Sequence, residues 1–402
     1  DNIISDGRPS LGFTGNMDTY KPAEGSATRS DIAITDPDFK YPSLWKSNIA
    51  ADYKFGDGWV ATVELLYSKD INAIYHDNIG LYRTEQFVND GGAGNARPYY
   101  NGYYGDREGN QKAANHVVML RNTSKGHSLY TTFQLQKNFV DGILKGLYLN
   151  GSYSFGQSRG VTDGTSSVAT SAWKYRAALD GNAEEVGYTA GSFDGRLLLS
   201  ASYTANWSKY AATSFGLIYQ RYRPFRYSYC YNGDANGDSQ FSNDLMYIPA
   251  NFDEVKDHLL PGDFDSQEDA WKAMNAFIEQ DPYLSKHRGE YAERNGAVAP
   301  FANQLDLSVS HDIKIYQKNG RSHTLRFSFN IANFLNLLNR NWGVVQTTVL
   351  GNQQYQFLTI PKGQGPSAAN NYTMAKDLDE TFKDNLNDVS RWQMQFGIKY
   401  IF

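Results

Sequence analysis

The chain has little of what several common protein classes require. Only one of its 402 residues, Cys230, is a cysteine, so neither a disulfide framework nor a cysteine-built metal site fits the sequence. A membrane-spanning helix needs a run of about 18 apolar residues, and runs such as Val117–Leu120 are far shorter. The formal net charge of -5 argues against nucleic acid as a partner.

Other absences narrow the choice further. The first residues, Asp1–Ser5, contain no basic segment and no apolar segment, so no signal peptide is recognised in them. We therefore expect either a cytoplasmic protein or one whose start has been removed. Aromatic residues make up 14% of the chain, which is too many for a disordered protein. The classes left are a soluble enzyme, a secreted β protein and a membrane β-barrel, in which alternating side chains hide the membrane from the mean hydropathy of -0.57.

The most prominent feature of the chain is an alternation of apolar and polar residues with a period of two. The last twelve residues alternate between apolar and polar side chains almost without fault. This predicts a strand that is long enough to cross a membrane at a tilt, whereas soluble strands have about five or six residues. An ordinary long edge strand is the alternative for this segment alone. The apolar side of the segment consists of Trp392, Met394, Phe396, Ile398, Tyr400 and Phe402.

The same alternation recurs along the chain and predicts about nine long strands. A tight turn signal, Gly56-Asp57-Gly58, separates the first two of them. The predicted strands cover residues 45–55, 59–68, 129–139, 147–155, 196–207, 214–220, 305–315, 325–331 and 391–402.

The connections between these strands alternate in length. Short turns on one rim and long loops on the other are typical of an outer-membrane barrel, whereas such long loops are uncommon in a compact soluble domain. Charges on the polar side of the strands, such as Glu64 and Arg196, suit a wet lumen better than a sealed core. The long connections are expected at residues 76–126, 159–194, 224–302 and 336–390.

Strand parity predicts an orientation. If the last strand ends on the periplasmic, short-turn rim, the first strand runs inward, and residues 1–43 are the tail of an extracellular loop. Single-chain bacterial barrels have an even number of strands. We therefore expect this chain to be a fragment whose remaining strands and signal peptide lie elsewhere.

Several segments resemble one family. Tyr227–Asp238 and Ser242–Pro249 resemble a loop of Oar-like TonB-dependent receptors of Bacteroidetes-type bacteria. Tyr67–Tyr75 is similar to the strand that leaves for an outer loop in that family, and Arg326–Asn336 is similar to one of its late strand ends. The aromatic end, Phe402, resembles the terminal signal of outer-membrane barrels. The resemblance spans nearly the whole chain, and its Asn-Gly-Asp segment is the most specific part.

The resemblance implies an all-β fold, namely part of an antiparallel transmembrane β-barrel of about 22 strands with long extracellular loops. Residues 1–402 would be the C-terminal barrel portion, without the plug, the TonB box and the N-terminal strands. The implied location is the outer membrane of a Gram-negative bacterium. The implied partners are outer-membrane lipid and lipopolysaccharide, the missing plug and strands, the TonB complex reached through them, and a small or oligomeric substrate such as a siderophore, peptide or glycan.

A candidate calcium loop begins at Asp234. Oxygen-bearing side chains at alternate positions of a glycine-containing turn can converge on a hard cation. Ser239 stands where an EF-hand has glycine, and Leu245 stands where it has a bidentate glutamate. The alternative is a solvated turn rich in Asp and Asn. The candidate calcium ligands are Asp234, Asn236, Asp238 and Asp244.

Two segments rich in tyrosine and arginine are candidates for substrate contact. Such side chains offer rigid contact area and hydrogen bonds, as in binding loops. They also suit an aromatic girdle at a barrel rim, and the arginines suit lipopolysaccharide phosphates. The candidates are Tyr99, Tyr100, Tyr103, Tyr104, Arg221, Arg223, Arg226, Tyr227 and Tyr229.

The longest loop is predicted to contain a helix. Ser266 is the expected cap, with Asp269 three residues later, and Pro282 ends the run. Its apolar side, Trp271 with Met274 and Ile278, is expected to pack on neighbouring loops, and a ligand-contacting lid is the alternative.

No catalytic constellation is recognised, so we predict a protein that is not an enzyme. The seven histidines show no metal-binding spacing, and no Gly-x-Ser-x-Gly elbow is present. The predicted function is that of an outer-membrane receptor for TonB-energised uptake. The alternatives are a passive porin or adhesin-type barrel, and a secreted soluble protein that binds carbohydrate.

Overall fold

The computed structural model describes residues 31–89, 97–104, 116–164, 166–316, 322–350, 354–361 and 371–402. Strand residues far outnumber helical residues in these ranges, and most strand pairs are antiparallel. The all-β antiparallel prediction is therefore confirmed at this level. The predicted loop tail over residues 1–43 is described only from residue 31 onward.

The described residues contain 24 strands, so a count of nine strands is wrong for the chain as a whole. Nine of the 24 are long, from 9 to 15 residues, and lie where the long strands were predicted. The others have two to eight residues, too few to carry a recognisable period of two. The strands are β1 (Ile32–Thr35), β2 (Leu44–Phe55), β3 (Trp59–Asp70), β4 (Ala73–Asn78), β5 (Leu81–Val88), β6 (Arg97–Tyr103), β7 (Val117–Thr123), β8 (His127–Asn138), β9 (Leu147–Gly160), β10 (Gly187–Tyr188), β11 (Arg196–Ser208), β12 (Ala211–Tyr222), β13 (Arg226–Tyr229), β14 (Tyr247–Ile248), β15 (Glu290–Tyr291), β16 (Ala297–Val298), β17 (Ala302–Tyr316), β18 (Ser322–Ala332), β19 (Gln346–Thr348), β20 (Gln354–Tyr355), β21 (Leu358–Thr359), β22 (Thr373–Met374), β23 (Phe382–Asp384) and β24 (Gln393–Ile401).

The nine long strands form one antiparallel sheet. Its order is β2-β3-β8-β9-β11-β12-β17-β18-β24, and the short β10 pairs with β9. Each long strand therefore lies beside the next long strand in the chain. Among the described residues, β2 and β24 each pair on one side only, so the closed barrel that the sequence predicts is not observed.

The connections between the long strands are short on one rim of the sheet and long on the other, as predicted. The turn rim, defined by the connections after β2, β8 and β11, has short links at residues 56–58, 139–146 and 209–210. Residues 317–321, which link β17 to β18 in the sequence, lie outside the described residues. The loop rim carries the four long connections, whose described parts we call the loop domain. Their bounds are residues 71–126, 161–195, 223–301 and 333–392.

The two faces of the sheet differ because the register keeps alternate residues aligned across the strands. One row, Tyr203–Phe215–Val309–Phe329–Phe396, belongs to what we call the apolar face. The neighbouring row, Ser202–Gly216–Ser308–Asn330–Gln395, belongs to the polar face. Exposed side chains of the apolar face include Ile49, Tyr53, Val63, Leu65, Phe133, Leu135, Tyr153, Leu199, Phe215, Leu217, Phe327, Phe396 and Ile398.

The strands are also staggered. A row of paired residues that starts at Val63, near the middle of β3, ends at Arg221, at the loop-rim end of β12. Closing a sheet into a barrel requires strands that tilt and shift in this manner.

The main hydrophobic core lies in the loop domain rather than on the sheet. It joins residues of all the long connections after β9, and its single cysteine, Cys230, is free and buried. Burial raises the pKa of the Cys230 thiol well above its usual value. The long strands contribute little to this core, because their apolar face is largely exposed whereas the loops pack on one another. The largest fully buried side chains of this core are Tyr227, Tyr229, Tyr231, Tyr355, Tyr372, Phe277, Phe357, Leu245 and Met246.

Three complete α-helices lie in the described residues, α1 (Ala169–Lys174), α2 (Gln267–Gln280) and α3 (Phe334–Leu338), beside three single-turn 3-10 helices at Phe252–Glu254, Leu284–Lys286 and Asp388–Ser390. The predicted helix of the longest loop is confirmed as α2, and its Met274 and Ile278 are buried in the core. Within the described part of the chain, no helix combines the length and the apolar character needed to cross a membrane.

Ser266 begins α2 in the predicted manner. Its Oγ accepts a hydrogen bond from the Asp269 backbone N–H at 3.1 Å, and donates one to Asp269 Oδ2 at 2.7 Å. Replacing Ser266 with Ala is expected to cost about 1 kcal/mol, which corresponds to roughly fivefold faster hydrogen exchange of the Asp269 and Ala270 amides, the ones that Ser266 binds. Lys272→Ala, at an exposed position of the same helix, is the matched control. Equal exchange in the two variants would contradict the cap.

Candidate metal centre

The loop that follows Tyr231 folds around its own aspartate side chains. Asp234 accepts hydrogen bonds from the backbone N–H groups of Gly237 at 2.7 Å and Ser239 at 2.8 Å. Asn236 and Asp238 accept in the same way from N–H groups two residues later. Asp and Asn favour such local turns because their short side chains reach the nearby backbone. The loop is therefore held with its carboxylates pointing inward.

Ser239 stands at the position where an EF-hand loop has glycine, and its backbone takes the left-handed conformation. Its φ is 65°, in the region that glycine adopts without steric cost. Gly237, with a φ of 83°, packs against the backbone of the β6 strand, where an added Cβ would lie 1.9 Å from the Tyr100 carbonyl oxygen. The turn can therefore close although serine stands at the usual glycine position.

Three carboxylates meet inside this loop. Asp234, Asp238 and Asp244 each place an oxygen within 4.8 Å of the others. Asp238 and Asp244 are each 1% exposed, and Asp234 is half-buried. Asp244 comes from the residues that follow the loop, and its Oδ2 accepts from the Ala235 backbone N–H at 2.8 Å. The structure thus brings together three of the four predicted ligands.

The fourth predicted ligand, Asn236, is placed beside them with its side-chain oxygen already engaged. Asn236 Oδ1 accepts from the Asp238 backbone N–H at 3.0 Å, and the side chain is buried. Its Nδ2 has no hydrogen-bond partner among the described residues. Asn236 can therefore serve a metal only through an oxygen that also supports the turn, as loop ligands often do.

Unsatisfied oxygens mark the inside of the cluster. Asp238 Oδ2 and Asn243 Oδ1 are buried and accept no hydrogen bond from the described residues. The Asn243 side chain lies next to Asp238, where its hydrogen bonding opposes the rise in the pKa of that carboxyl. Leaving a buried acceptor without a partner costs about 1–3 kcal/mol. One of these two oxygens belongs to the Asp238 carboxylate and the other to Asn243. Both suit a cation, and Asn243 is a candidate ligand that the sequence did not single out.

The charge of the cluster points to a divalent ion. Arg97, which is fully buried, places Nη1 2.7 Å from Asp244 Oδ1. Three ionised carboxylates and this guanidinium carry a net charge of -2, which one divalent cation would neutralise. Oxygen ligands of mixed carboxylate and amide type suit calcium.

The electrostatics of the ion-free cluster are unfavourable. Burial raises the pKa of Asp238 well above its usual value, and the charges of Asp244 and Asp234 raise it further. Burial also raises the pKa of Asp234, against the backbone N–H groups that favour its ionised form. Like charges in a buried site disfavour simultaneous ionisation. A bound cation would remove this penalty.

The predicted substrate-contact tyrosines fall into two groups. Tyr99 is half-buried and Tyr104 is 49% exposed, so both reach the surface. The other four, Tyr100, Tyr103, Tyr227 and Tyr229, are buried and present little outward surface in this structure, so their contact with a substrate stays a prediction. The physical reason for their burial is packing: their rings lie in the two hydrophobic cores of the loop domain, and the Tyr229 hydroxyl donates to Asp281 at 2.6 Å.

The predicted arginines also differ in their surroundings. Arg226 is buried, hydrogen-bonds backbone carbonyls of Ser192 and Asn295, and pairs with Asp194. Its contacts hold two loops together and leave it unsuited to an external ligand. Arg221 and Arg223 remain near the surface at the loop rim.

The segments that resemble Oar-like receptors lie at this centre and at the strand ends. Tyr227–Asp238 contains all of β13 except Arg226 and the first half of the metal loop, and Ser242–Pro249 contains Asp244 and β14. Comparison of the chain with family models, curated proteins and solved structures finds no match. Membership of the Oar-like family therefore stays a prediction from the sequence.

Proposed function

We propose that the nine-stranded sheet is part of the wall of a transmembrane β-barrel in a Gram-negative outer membrane, with the loop domain outside the cell. The apolar face carries this proposal. Its aliphatic and aromatic side chains are exposed across the long strands, whereas soluble monomers rarely expose continuous apolar patches beyond a few hundred Å². A bilayer covers such a face.

Three further features support a barrel wall. The staggered register is the one that closure needs. Aromatic side chains lie near the turn rim, where Trp207 is 67% exposed and Lys137 lies over the Trp59 ring at 5.2 Å. Charged groups occupy the polar face, as in the hydrogen bond from Asn48 to Glu64 at 2.7 Å. Interfacial aromatics and a polar interior are typical of outer-membrane barrels.

Within this class we propose a TonB-energised receptor that takes up a small or oligomeric substrate and performs no catalysis. The support is the sequence resemblance of the two loop segments, the late strand end and the terminal aromatic residue. A passive porin or adhesin-type barrel is the second candidate, because the sheet alone fits it equally well. A soluble carbohydrate-binding protein is less well supported, since four of its six candidate tyrosines are buried.

We also propose that Asp234, Asp238, Asp244 and Asn243 hold one calcium ion, with Asn236 shaping the turn. The site lies where three loop segments meet. Tyr100 of β6 donates its backbone N–H to the Asn236 carbonyl at 2.7 Å, and Arg97 of the same strand pairs with Asp244. The ion would therefore fasten the metal loop to the β6 strand and stabilise the loop domain.

The membrane proposal is tested on the full-length protein. We expect it to remain soluble only with detergent or in a bilayer, and to migrate faster on a gel before heating than after heating. A stable monomer in plain buffer would overturn both barrel candidates.

TonB coupling requires a separate measurement. A TonB-driven receptor is expected to bind the purified periplasmic domain of TonB. A heat-modifiable barrel without such binding would favour the porin or adhesin candidate.

A further inference from the structure

A cationic pocket lies at the loop-rim end of the apolar face. We call it the rim pocket, and it is a cavity of about 470 Å³. Its lining combines positive groups with rings, and contains no Asp or Glu among the described residues. The lining residues that matter here are Arg223, Tyr283, Lys286, His287, Phe301 and Phe382.

The register places this pocket on the outward side of the sheet. Arg221 pairs with Asn303, and the next outward pairs toward the turn rim are Tyr219 with Leu305 and Leu217 with Leu307, all on the apolar face. Phe301, two residues before Asn303, lies under both arginines, 4.5 Å from the Arg221 guanidinium carbon and 4.1 Å from that of Arg223. The positive groups therefore stand directly beyond the apolar side chains of β12 and β17.

The height of the pocket fits the surface of a bilayer. Arg221 follows Ala211, the first residue of β12, by ten residues. At about 3.4 Å per residue this is roughly 34 Å along the strand, or roughly 24 Å across the membrane at a tilt of about 45°. The apolar band of outer-membrane barrels is about 25 Å tall. Arg221 and Arg223 are therefore expected at the level of the lipid headgroups.

The charges at this level are incompletely paired. Arg223 donates from Nη1 to the Ala299 carbonyl at 2.8 Å, but its buried Nε makes no hydrogen bond and lies 3.7 Å from Asp194 Oδ2. Arg221 and Lys286 are exposed and have no carboxylate partner among the described residues. Guanidinium groups bind phosphate oxygens through paired N–H donors, and their flat faces stack on rings.

We propose that the rim pocket binds the phosphate group of an anionic membrane lipid whose acyl chains lie on the apolar face below it. The inference rests on the proposed membrane location. The position of the pocket favours a lipid over a soluble phosphate. The pocket adjoins the apolar face, so one lipid can place its phosphate in the pocket and its acyl chains on that face. Of the three candidate arginines, Arg221 and Arg223 belong to this site and the buried Arg226 does not. Lys286 is an additional basic residue that was not among the candidates from the sequence.

The test compares two triple variants of the full-length protein in mild detergent. Arg223→Gln and Lys286→Gln remove two positive groups that line the pocket, and Arg221→Gln removes the one that lies beside it over Phe301. Lys46→Gln, Lys314→Gln and Lys399→Gln together remove the same charge from the polar face and serve as the control. The probes are diphosphoryl lipid A, phosphatidylcholine and inorganic phosphate, with bound lipid measured by native mass spectrometry.

We expect the wild type and the control to retain diphosphoryl lipid A in preference to phosphatidylcholine. The pocket variant is expected to bind it about tenfold to a hundredfold more weakly, because each basic group near a membrane surface contributes about one kcal/mol. Heat-modifiable migration of the variant verifies its fold, and the single substitutions Arg221→Gln and Lys286→Gln are expected to give graded losses.

Two results would overturn the lipid site while leaving the membrane proposal intact. One is equal retention by the pocket variant and the control. The other is displacement of the lipid by equimolar inorganic phosphate, which would identify a soluble phosphate site. If the wild-type protein needs neither detergent nor bilayer, the proposed function itself fails together with the pocket.

Discussion

Replacing Asp238 with Asn is expected to abolish the stabilisation of the loop domain by calcium. For the wild type, free calcium a hundredfold above the dissociation constant would add about 2.7 kcal/mol, which raises the melting temperature of a domain of this size by roughly 5–10 °C. Asp238 is 1% exposed, and its Oδ2 makes no hydrogen bond. This oxygen is therefore available to a cation.

Without calcium, the Asp238→Asn substitution is expected to have the opposite effect on stability. In a chelator, burial raises the pKa of Asp238, and the charges of Asp244 and Asp234 raise it further, so the ionised cluster is unfavourable. The Asn variant removes one of these charges and keeps the oxygen that accepts from the Gln240 backbone N–H at 2.9 Å. We therefore expect it to be at least as stable as the wild type in chelator, and less stable in calcium.

The measurement is thermal unfolding with chelator, with calcium and with magnesium. Asp253→Asn is the matched control, because Asp253 is exposed in the same long connection and pairs only loosely with Lys256 at 3.4 Å. We expect it to keep the full calcium response. If calcium leaves the wild-type melting temperature unchanged, the cluster is a turn rich in Asp and Asn and holds no ion.

The sequence predicted those parts of the structure that local patterns specify. The nine long strands were located because a period of two persists for most of their length and turn residues separate several of them. The α2 helix was located because Ser266 and Asp269 have the spacing of a cap. Both signals lie within a few residues, so neither depends on how distant segments meet.

The remaining parts depend on distant contacts. Asp244 could be suspected from its position, but its partner Arg97 comes from a strand 147 residues away. The tyrosines of β13 alternate as a strand requires, yet nothing local distinguishes a ring that faces a ligand from one that packs on Tyr355 or Phe357. Asn243 carries the one signal that could have been used, since it is an amide next to a predicted ligand.

Arg97→Met is expected to destabilise the loop domain by about 3–5 kcal/mol, because removing one partner of a buried ion pair leaves the other charge uncompensated. Arg97 is fully buried, hydrogen-bonds the Leu245 carbonyl, and pairs with Asp244, which is also buried. Its guanidinium lies 5.8 Å from the Tyr231 ring centre and 5.7 Å from that of Tyr291. Methionine retains much of the side-chain volume but none of the charge.

Arg83→Met is the control. Arg83 lies in β5, which pairs with β6, and the substitution also breaks an arginine–aspartate ion pair. Arg83 has a side chain that is 54% exposed and lies 3.4 Å from Asp180 Oδ2. Exposed pairs contribute about 0–1 kcal/mol, so we expect the control to unfold near the wild-type denaturant concentration. Unfolding is best followed in chelator, which separates the arginine from the ion.

The double variant Arg97→Met with Asp244→Asn tests the cause. If the loss comes from an uncompensated Asp244 carboxylate, neutralising that group should recover part of the stability, and the two substitutions will not add. Additive losses would show that Arg97 acts through its packing and its bond to the Leu245 carbonyl instead. Non-additivity would mean that Arg97 keeps Asp244 ionised in the interior, and Asp244 must be ionised to bind calcium.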